Sequence, residues 1–549
     1  MRGGTFEQTL VLLNGININD PQTGHHNTDF PVDLDNIDRI EILKGPASRA
    51  FGANAFSGAV NIITNEPEQN KIRLTMNGGA NNYYSLSVSG AYNVSGFNNF
   101  LSISKKKSDG YIKNTDFDLL TLFYSSSYAA SFAKFDCQVG YMDKAFGANS
   151  FYSPDFPDQF ESTKTIFASL KSTIGSTFKL SPVLYWRRHQ DRFELFRDNP
   201  PSWYTEHNYH LTDVYGININ NSLPSVIGIT NIGAGYRSEN ILSNKLGIPM
   251  NHILPVPGEP DGKFTNKATR DILDFFLEHN ILWKVLSISG GLLADHTSEF
   301  NWNIYAGVDA SYMLFENSNI FANVNNSFRL PSFTELYYSD PTSKGNPQLQ
   351  PEKAISYEFG LKYLNDFLKV QLSIFRREGN NLIDWTKQAD DSLWRSTNLT
   401  NVNSNGLDIY LSLYPENLFK NSFPIHNVNI SYSYLSMDKI YGGFLSEYVL
   451  DYLRNKLTIV ISHDLAFDIK MSWSVSYNDR AGQYLDYQTK NIKYFKPYFL
   501  VDTKIYTTIK NITIYLLSTN LFDVIYTDIA NLKLPGRWLS IGVNYDLNL

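Results

Sequence analysis

Apolar and polar residues alternate with a period of two through most of this chain. In 428–434, Val428, Ile430, Tyr432 and Tyr434 alternate with Asn429, Ser431 and Ser433, and in 471–477, Met471, Trp473, Val475 and Tyr477 alternate with Ser472, Ser474 and Ser476. At the C-terminus Leu539, Ile541, Val543, Tyr545, Leu547 and Leu549 share one face, and Ser540, Gly542, Asn544, Asp546 and Asn548 the other. Successive strand side chains point to opposite faces, so each segment predicts a β-strand with a greasy, aromatic side and a small, polar side. A soluble β-sandwich also alternates. Its buried face, however, favours Val, Ile and Leu, and its wet face carries more Lys and Glu than these rows of Ser and Asn. Lipid on one side and a watery or filled lumen on the other fits the rows better.

Residues 1–66 depart from the pattern. They are compact and rich in Gly, Asn and Ile, and they predict short strands at 9–13, 39–44 and 59–64 joined by turns. The remaining residues, roughly 480 of the 549, suit a barrel of about 22 strands of about ten residues each, with short turns at one end and long loops at the other. Polar segments rich in Pro and Gly at 191–207, 249–264, 340–351, 387–405 and 480–491 are the predicted long loops.

Composition strengthens the membrane reading. Tyr (35), Phe (36) and Trp (8) supply 14% of the chain, and charged residues only 18%, where soluble proteins average about a quarter. Mean hydropathy is −0.27, and no apolar run approaches the about 18 residues that a spanning helix needs. Aromatics crowd the two interfaces of a membrane barrel while its lumen residues keep the average bland. The net charge of −7 is mild, and no basic stripe indicates nucleic acid. Lys105, Lys106 and Lys107 read as a solvated strand end or loop. Cys137 is the sole cysteine, which excludes an intrachain disulfide and a cysteine-based metal cluster.

The most specific signal is the run RIEILKGPASRAFGANAFSGAVNIIT at 39–64. Gly45-Pro46 forces a tight reversal, Gly52 and Gly58 permit backbone angles or approaches closed to other residues, and Val60-Asn61-Ile62-Ile63 reads as a buried strand. This run resembles the end of the plug domain of TonB-dependent receptors, with Lys44 and Phe51 at positions where that family more often has Arg and Tyr. Two further stretches are similar to the family's barrel boxes: 328–337 (FRLPSFTELY) followed by 345–352 (GNPQLQPE), and 520–523 (NLFD) through Pro535-Gly536-Arg537 to the final strand. Ser540, Gly542, Tyr545 and Leu547 also fit the spacing of the barrel-assembly signal, although the chain ends on Leu549 where the family usually ends on an aromatic residue. The resemblance spans nearly the whole chain.

It implies an all-β fold: a transmembrane antiparallel barrel at 67–549 with a partial plug, residues 1–66, in its lumen. It implies a bacterial outer membrane, contact with outer-membrane lipid, insertion by the barrel-assembly machinery, and a TonB complex as partner of the full-length form. No signal peptide or energy-coupling box precedes Thr5, and only the later half of a plug is recognisable. The expectation is therefore an in-frame continuation upstream of Met1. The implied function is active uptake of a scarce ligand, a ferric siderophore or cobalamin, with haem uptake or a passive porin-like channel as alternatives. A glycan importer of the longer plugged class would need a larger barrel. No cofactor is expected, iron or cobalt entering only within the cargo. No phosphate loop, nucleophile elbow or metalloprotease motif supports an enzyme.

The resemblance places ligand contacts on the plug loop 19–27, with Gln22, Thr23, His25, His26 and Asn27 as candidates, and on Asn54. Adjacent histidines on a polar turn can hold iron, haem or a cobalt ligand, or can simply bond loop backbone and barrel wall. A second histidine group runs from Arg187-Arg188-His189 to His207, Tyr209 and His210. His207 and Tyr209 fall on one strand face and His210 on the other, so the three cannot all ligate one centre while the strand is regular. His25, His26, His207 and His210 are the metal candidates. Haem receptors of this family often carry a histidine between the two barrel boxes, and 328–349 has none.

Overall fold

The computed structural model describes residues 1–549 except 67–68, 389–390, 392, 400–401, 420–422, 439–443 and 447–451. The expected domain boundary at 67 and part of the loop 387–405 lie outside the described residues.

The alternating segments form a closed antiparallel barrel of 22 wall strands. Closure joins the first wall strand, Lys71–Gly79, to the last, Trp538–Asn548, in a register running from Ser540↔Gly79 to Asn548↔Lys71. The side-chain rows sort as the pattern requires. Leu86 is 45% exposed on the outside, while its neighbour Ser87 is 3% exposed on the inside. Leu539 and Ile541 face outward, and Ser540 is buried. Closure leaves no unpaired wall edge, which is what a strand structure in lipid requires.

Short turns, among them 94–97, 225–228, 283–286, 315–318 and 509–512, lie at one end. The long connections gather at the other, and several are more ordered than their composition predicts. Asp191 lies within the wall strand Lys179–Glu194 rather than in the loop expected at 191–207. Of 249–264, a large part forms the strand Ile248–Pro255, which folds back along Lys263–Trp283, while that wall strand also pairs directly with Gly228–Ser243. Strands Ser343–Lys344, Trp394–Leu399, Leu382–Gln388 and Phe444–Ser446 make a small sheet above the barrel mouth, and Gln483–Leu485 pairs with Ile492–Tyr494.

Residues 1–66 sit within the lumen as a four-stranded sheet of β1 (Thr9–Leu13), β2 (Ile16–Asn17), β3 (Ile37–Lys44) and β4 (Gly58–Thr64), in the order β2-β1-β4-β3. β1 and β4 are parallel, and the other pairs antiparallel. Gly58 has φ +149°, and a Cβ there would lie 2.3 Å from the Leu43 carbonyl oxygen, so the β3–β4 return demands glycine. The plug has a small cluster of its own, Leu10, Leu12, Ala47, Ala55 and Ala59, and shares a larger one with the wall. Leu13, Ile16, Ile18, Val32 and Ile62 pack with Ala91, Phe100, Phe123, Phe167, Val183 and Val214 of the wall, so apolar burial itself docks the plug.

Candidate functional site

The loop 19–29 of the plug rises toward the long-loop end and is clamped between two parts of the wall. On one side, the segment 328–337 turns from a wall strand into a short helix, Phe333–Tyr337. Ser332 and Glu335 form a reciprocal capping box at its start, and Arg329, itself buried, bridges Glu335 (2.8 Å) and Glu352 (2.9 Å). This rigid corner presents N–H groups to the plug: Phe333 donates to the Pro21 carbonyl (2.9 Å) and Thr334 to that of Gln22 (3.1 Å). The same strand end meets the plug turn below it, where Asn54 N–H donates to the Phe328 carbonyl (3.2 Å).

On the other side lies a buried polar cluster. Gly24–Thr28 winds as a 3-10 turn capped by Thr23 and directs His26 at the wall. Period-two alternation puts Arg187, His189 and Asp191 on the lumen face of one wall strand, and the neighbouring strand contributes Glu161 and Thr163. The His26 and His189 rings lie 4.4 Å apart. His26 Nδ1 is 3.6 Å from Glu161 and 3.9 Å from Asp29, and its Nε2 is 3.6 Å from Asp191. His189 Nε2 lies 3.2 Å from Asp29, and its Nδ1 3.4 Å from Asp20. Arg187 pairs with Asp20 at 2.5 Å, Lys144 pairs with Asp29, and Thr163 donates to Asp29 at 3.0 Å.

Burial and charge pull against each other here. Burial disfavours a charged His26, but Asp191, Glu161 and Asp29 prevail and push it up to about 9. Burial would raise Asp20, yet Arg187, His189 and His26 hold it at about 2. Burial likewise opposes ionisation of Asp29, and Lys144 with His189 holds it well below the usual carboxylate range. His25 points elsewhere. It is half-buried among Phe6 (4.7 Å between ring centroids), Phe151 (5.7 Å) and Tyr152 (5.9 Å), and burial together with nearby His26 lowers it to about 4.

The sequence candidates therefore divide. Gln22, His26 and Asn27 are buried: Gln22 donates to Asp191 (2.8 Å), and the Asn27 side chain accepts from Asp20 N–H (2.9 Å). Thr23, His25 and Asn54 are only half-buried. His207 bonds the Tyr204 hydroxyl (3.0 Å), away from His210, which bonds Ser243 (2.8 Å). Sequence reasoning singled out both histidine groups but not their meeting. It named His189 without choosing it as a metal candidate, and it gave Asp20, Asp29, Glu161 and Asp191 no role; the signal that could have promoted His189 and Asp191 is the charged row 187, 189, 191 facing inward on one strand.

Residues 12–521 match the family described as TonB dependent receptor-like, beta-barrel. The vitamin B12 transporter BtuB of Vibrio vulnificus is 23% identical over 78% of the chain, and that of Photobacterium profundum 23% over 74%. The chain spans about two thirds of the length of these relatives, 67% and 65%. Among solved structures, the siderophore receptor PirA from Pseudomonas aeruginosa (16% identical, TM-score 0.74) and the FrpB iron transporter from Neisseria meningitidis (14%, TM-score 0.79) each cover 100% of this chain, and the chain covers 93% of each.

Proposed function

The chain belongs to the TonB-dependent receptor family of outer-membrane β-barrels, and from that premise we propose that it serves energy-driven uptake of a large, scarce ligand, cobalamin first. The family is one of receptors and transporters rather than enzymes. The observation that carries the proposal is a plug held inside a closed wall by polar contacts that can be exchanged. Arg237 of the wall donates to the Asn17 and Asn19 carbonyls (3.2 and 2.7 Å), and Gln22 of the plug donates to Asp191. A filled lumen supports gated passage over an open pore, and a pull on the plug has bonds to break on the way. Cobalamin leads because the sequence relatives are vitamin B12 transporters.

A ferric siderophore is the second reading, favoured by the outer mouth. There Arg197 and Arg192 lie over the Phe160 ring (4.3 and 6.0 Å), beside Phe193, Phe196, Trp203 and Tyr204. Cations over aromatic rings suit an anionic aryl ligand. In this reading half-buried Thr23, His25 and Asn54 are the plug groups proposed to meet the ligand. In this proposal the transporter needs no cofactor for uptake itself, couples to TonB, presents its outward apolar rows to lipid, and is inserted by the barrel-assembly machinery.

The test is uptake of radiolabelled cyanocobalamin, and separately of ferric siderophores, by a receptor-null strain carrying the gene. Uptake of one class that collapses when the proton gradient is discharged is expected. Uptake of neither, or uptake indifferent to the gradient, overturns the proposal.

A further inference from the structure

We propose that His26, Asp29, His189 and Glu161 form a site for one divalent first-row transition metal ion, which clamps the plug loop to the barrel wall.

Donor spacing comes first. A tetrahedral ion with bonds of about 2.0–2.2 Å sets its ligand atoms about 3.3–3.6 Å apart. His26 Nδ1 to Asp29 Oδ2 is 3.9 Å, Asp29 Oδ2 to His189 Nε2 is 3.2 Å, and the donor atoms of these three residues all lie within 4.8 Å of one another. Glu161 Oε1, 3.6 Å from the same His26 nitrogen, offers the fourth position. Rotation of these side chains has to draw the donors in from that 4.8 Å limit to tetrahedral spacing, and to bring Glu161 across from His26 toward Asp29 and His189.

Charge is the second ground. The carboxylates Asp20, Asp29, Glu161 and Asp191 are all buried, against the permanent cations Arg187 and Lys144. Were all four ionised and both histidines neutral, two negative charges would stand uncompensated in a dry setting, a costly arrangement that the proton on His26 relieves in part. A divalent ion cancels both, and takes the place of the proton that His26 otherwise holds.

The surroundings supply the third ground. A metal-bound imidazole is normally oriented by a carboxylate on its other nitrogen. His189 Nδ1 makes no hydrogen bond, yet it faces Asp20 at 3.4 Å, and Asp20 is fixed by Arg187. Glu161 is likewise held by the Tyr152 hydroxyl, and Asp29 by Lys144 and Thr163. The mixed imidazole and carboxylate set selects zinc, iron(II), cobalt(II) or manganese(II) over calcium, which takes oxygen ligands alone. Two of the ligands belong to the plug and two to the wall, so the ion cross-links the two bodies.

Detergent-purified protein is stripped with EDTA and titrated with Co²⁺ and with Zn²⁺. Metal uptake is read without any transported ligand, so its failure and that of the uptake reading are distinguishable. About one equivalent is expected, with ligand-field bands in the Co²⁺ form, and hydrogen exchange in 24–29 should slow on Zn²⁺ addition. His189→Gln and His26→Gln, checked for retained sheet content, should each lose at least tenfold in affinity, and Asp20→Asn should lose less. The proposal is overturned if the wild type takes up no stoichiometric metal, if both histidine variants bind as it does, or if exchange in 24–29 ignores the metal.

Discussion

The backbone N–H of Phe333 donates to the carbonyl oxygen of Pro21 at 2.9 Å, joining a barrel segment to a plug loop that the chain places more than three hundred residues earlier. The bond depends on a helix corner built by Ser332, Glu335 and Arg329. The segment 328–337 is thereby a latch, and its Arg, Ser and Glu are the parts that keep the latch stiff.

Glu335→Ala removes the capping box and one of the two carboxylates that neutralise buried Arg329. Leaving a buried charge short of a partner costs about 3–5 kcal/mol in comparable cases, to which a lost cap adds about 1 kcal/mol. Glu352 still compensates Arg329, so about 3 kcal/mol is expected. Limited proteolysis should cut the plug loop 19–29 at lower urea in the variant while the barrel stays intact. Cleavage at unchanged urea would show that the latch is not held by this network.

The outward row is testable at the barrel seam. Val543 pairs with Met76 and Ile514, both exposed apolar residues, whereas Asn544 pairs with buried Thr75. Val543→Arg should cost about 2–4 kcal/mol of barrel stability where the position lies near mid-bilayer, and Asn544→Arg much less. Refolding into lipid vesicles across a urea series measures both. Equal costs would contradict the assigned faces.

The barrel was legible because its signal is local. Two-residue alternation in 471–477 or 539–549 needs no knowledge of the partner strand, and closure follows from lipid on one side. β1 was legible from its apolar run Leu10-Val11-Leu12-Leu13, and β3 and β4 from turn chemistry around Gly45, Gly52 and Gly58, while β2, two residues long, carries too little pattern. The strand Ile248–Pro255 was read as loop because Pro249 and Pro255 mark it as one, and its pairing to Lys263–Trp283 is broken by a register shift. The polar cluster was the least legible part. Asp29 and His189 stand 160 positions apart, and nothing local to either says that the loop and the strand meet.

Acid should loosen the plug at Asp33. This buried carboxylate caps the turn Leu34–Asn36 and pairs with Lys106 at 2.8 Å. Burial alone would raise it, but Lys106, the Asp35 N–H and Ser104 hold it below its ordinary 3.8. A carboxyl depressed in the folded state stabilises above its unfolded pKa and loses that contribution as pH falls through the lowered folded value. Asp33→Asn should therefore weaken plug docking at pH 7. Its deficit relative to wild type should shrink as the pH is taken below about 4. Urea-dependent protease susceptibility of the plug at pH 7 and pH 3 measures the difference. A deficit that persists unchanged into acid would assign Asp33 a role other than its charge.

Arg237 tests whether polar straps set the ease of plug release. Its guanidinium is buried, donates to the Asn17 and Asn19 carbonyls, and bonds Glu239 at 2.7 Å. Hydrogen bonds from a charged donor contribute about 1.5–3 kcal/mol each. Arg237→Met keeps the apolar stem but removes both straps and leaves Glu239 with Arg270 as its remaining cation, at 3.6 Å. The shared apolar core around Leu13, Ile62, Phe123 and Phe167 is untouched, so the plug should stay docked in the absence of denaturant. In planar bilayers, however, the variant should open channels at lower urea than the wild type, because the strapped strand end at 17–19 is the part freed first. Channel opening at the same urea concentration would show that the Arg237 straps do not set plug release, and would locate the resistance in the apolar core or in the contacts of Phe333 and Lys106 instead.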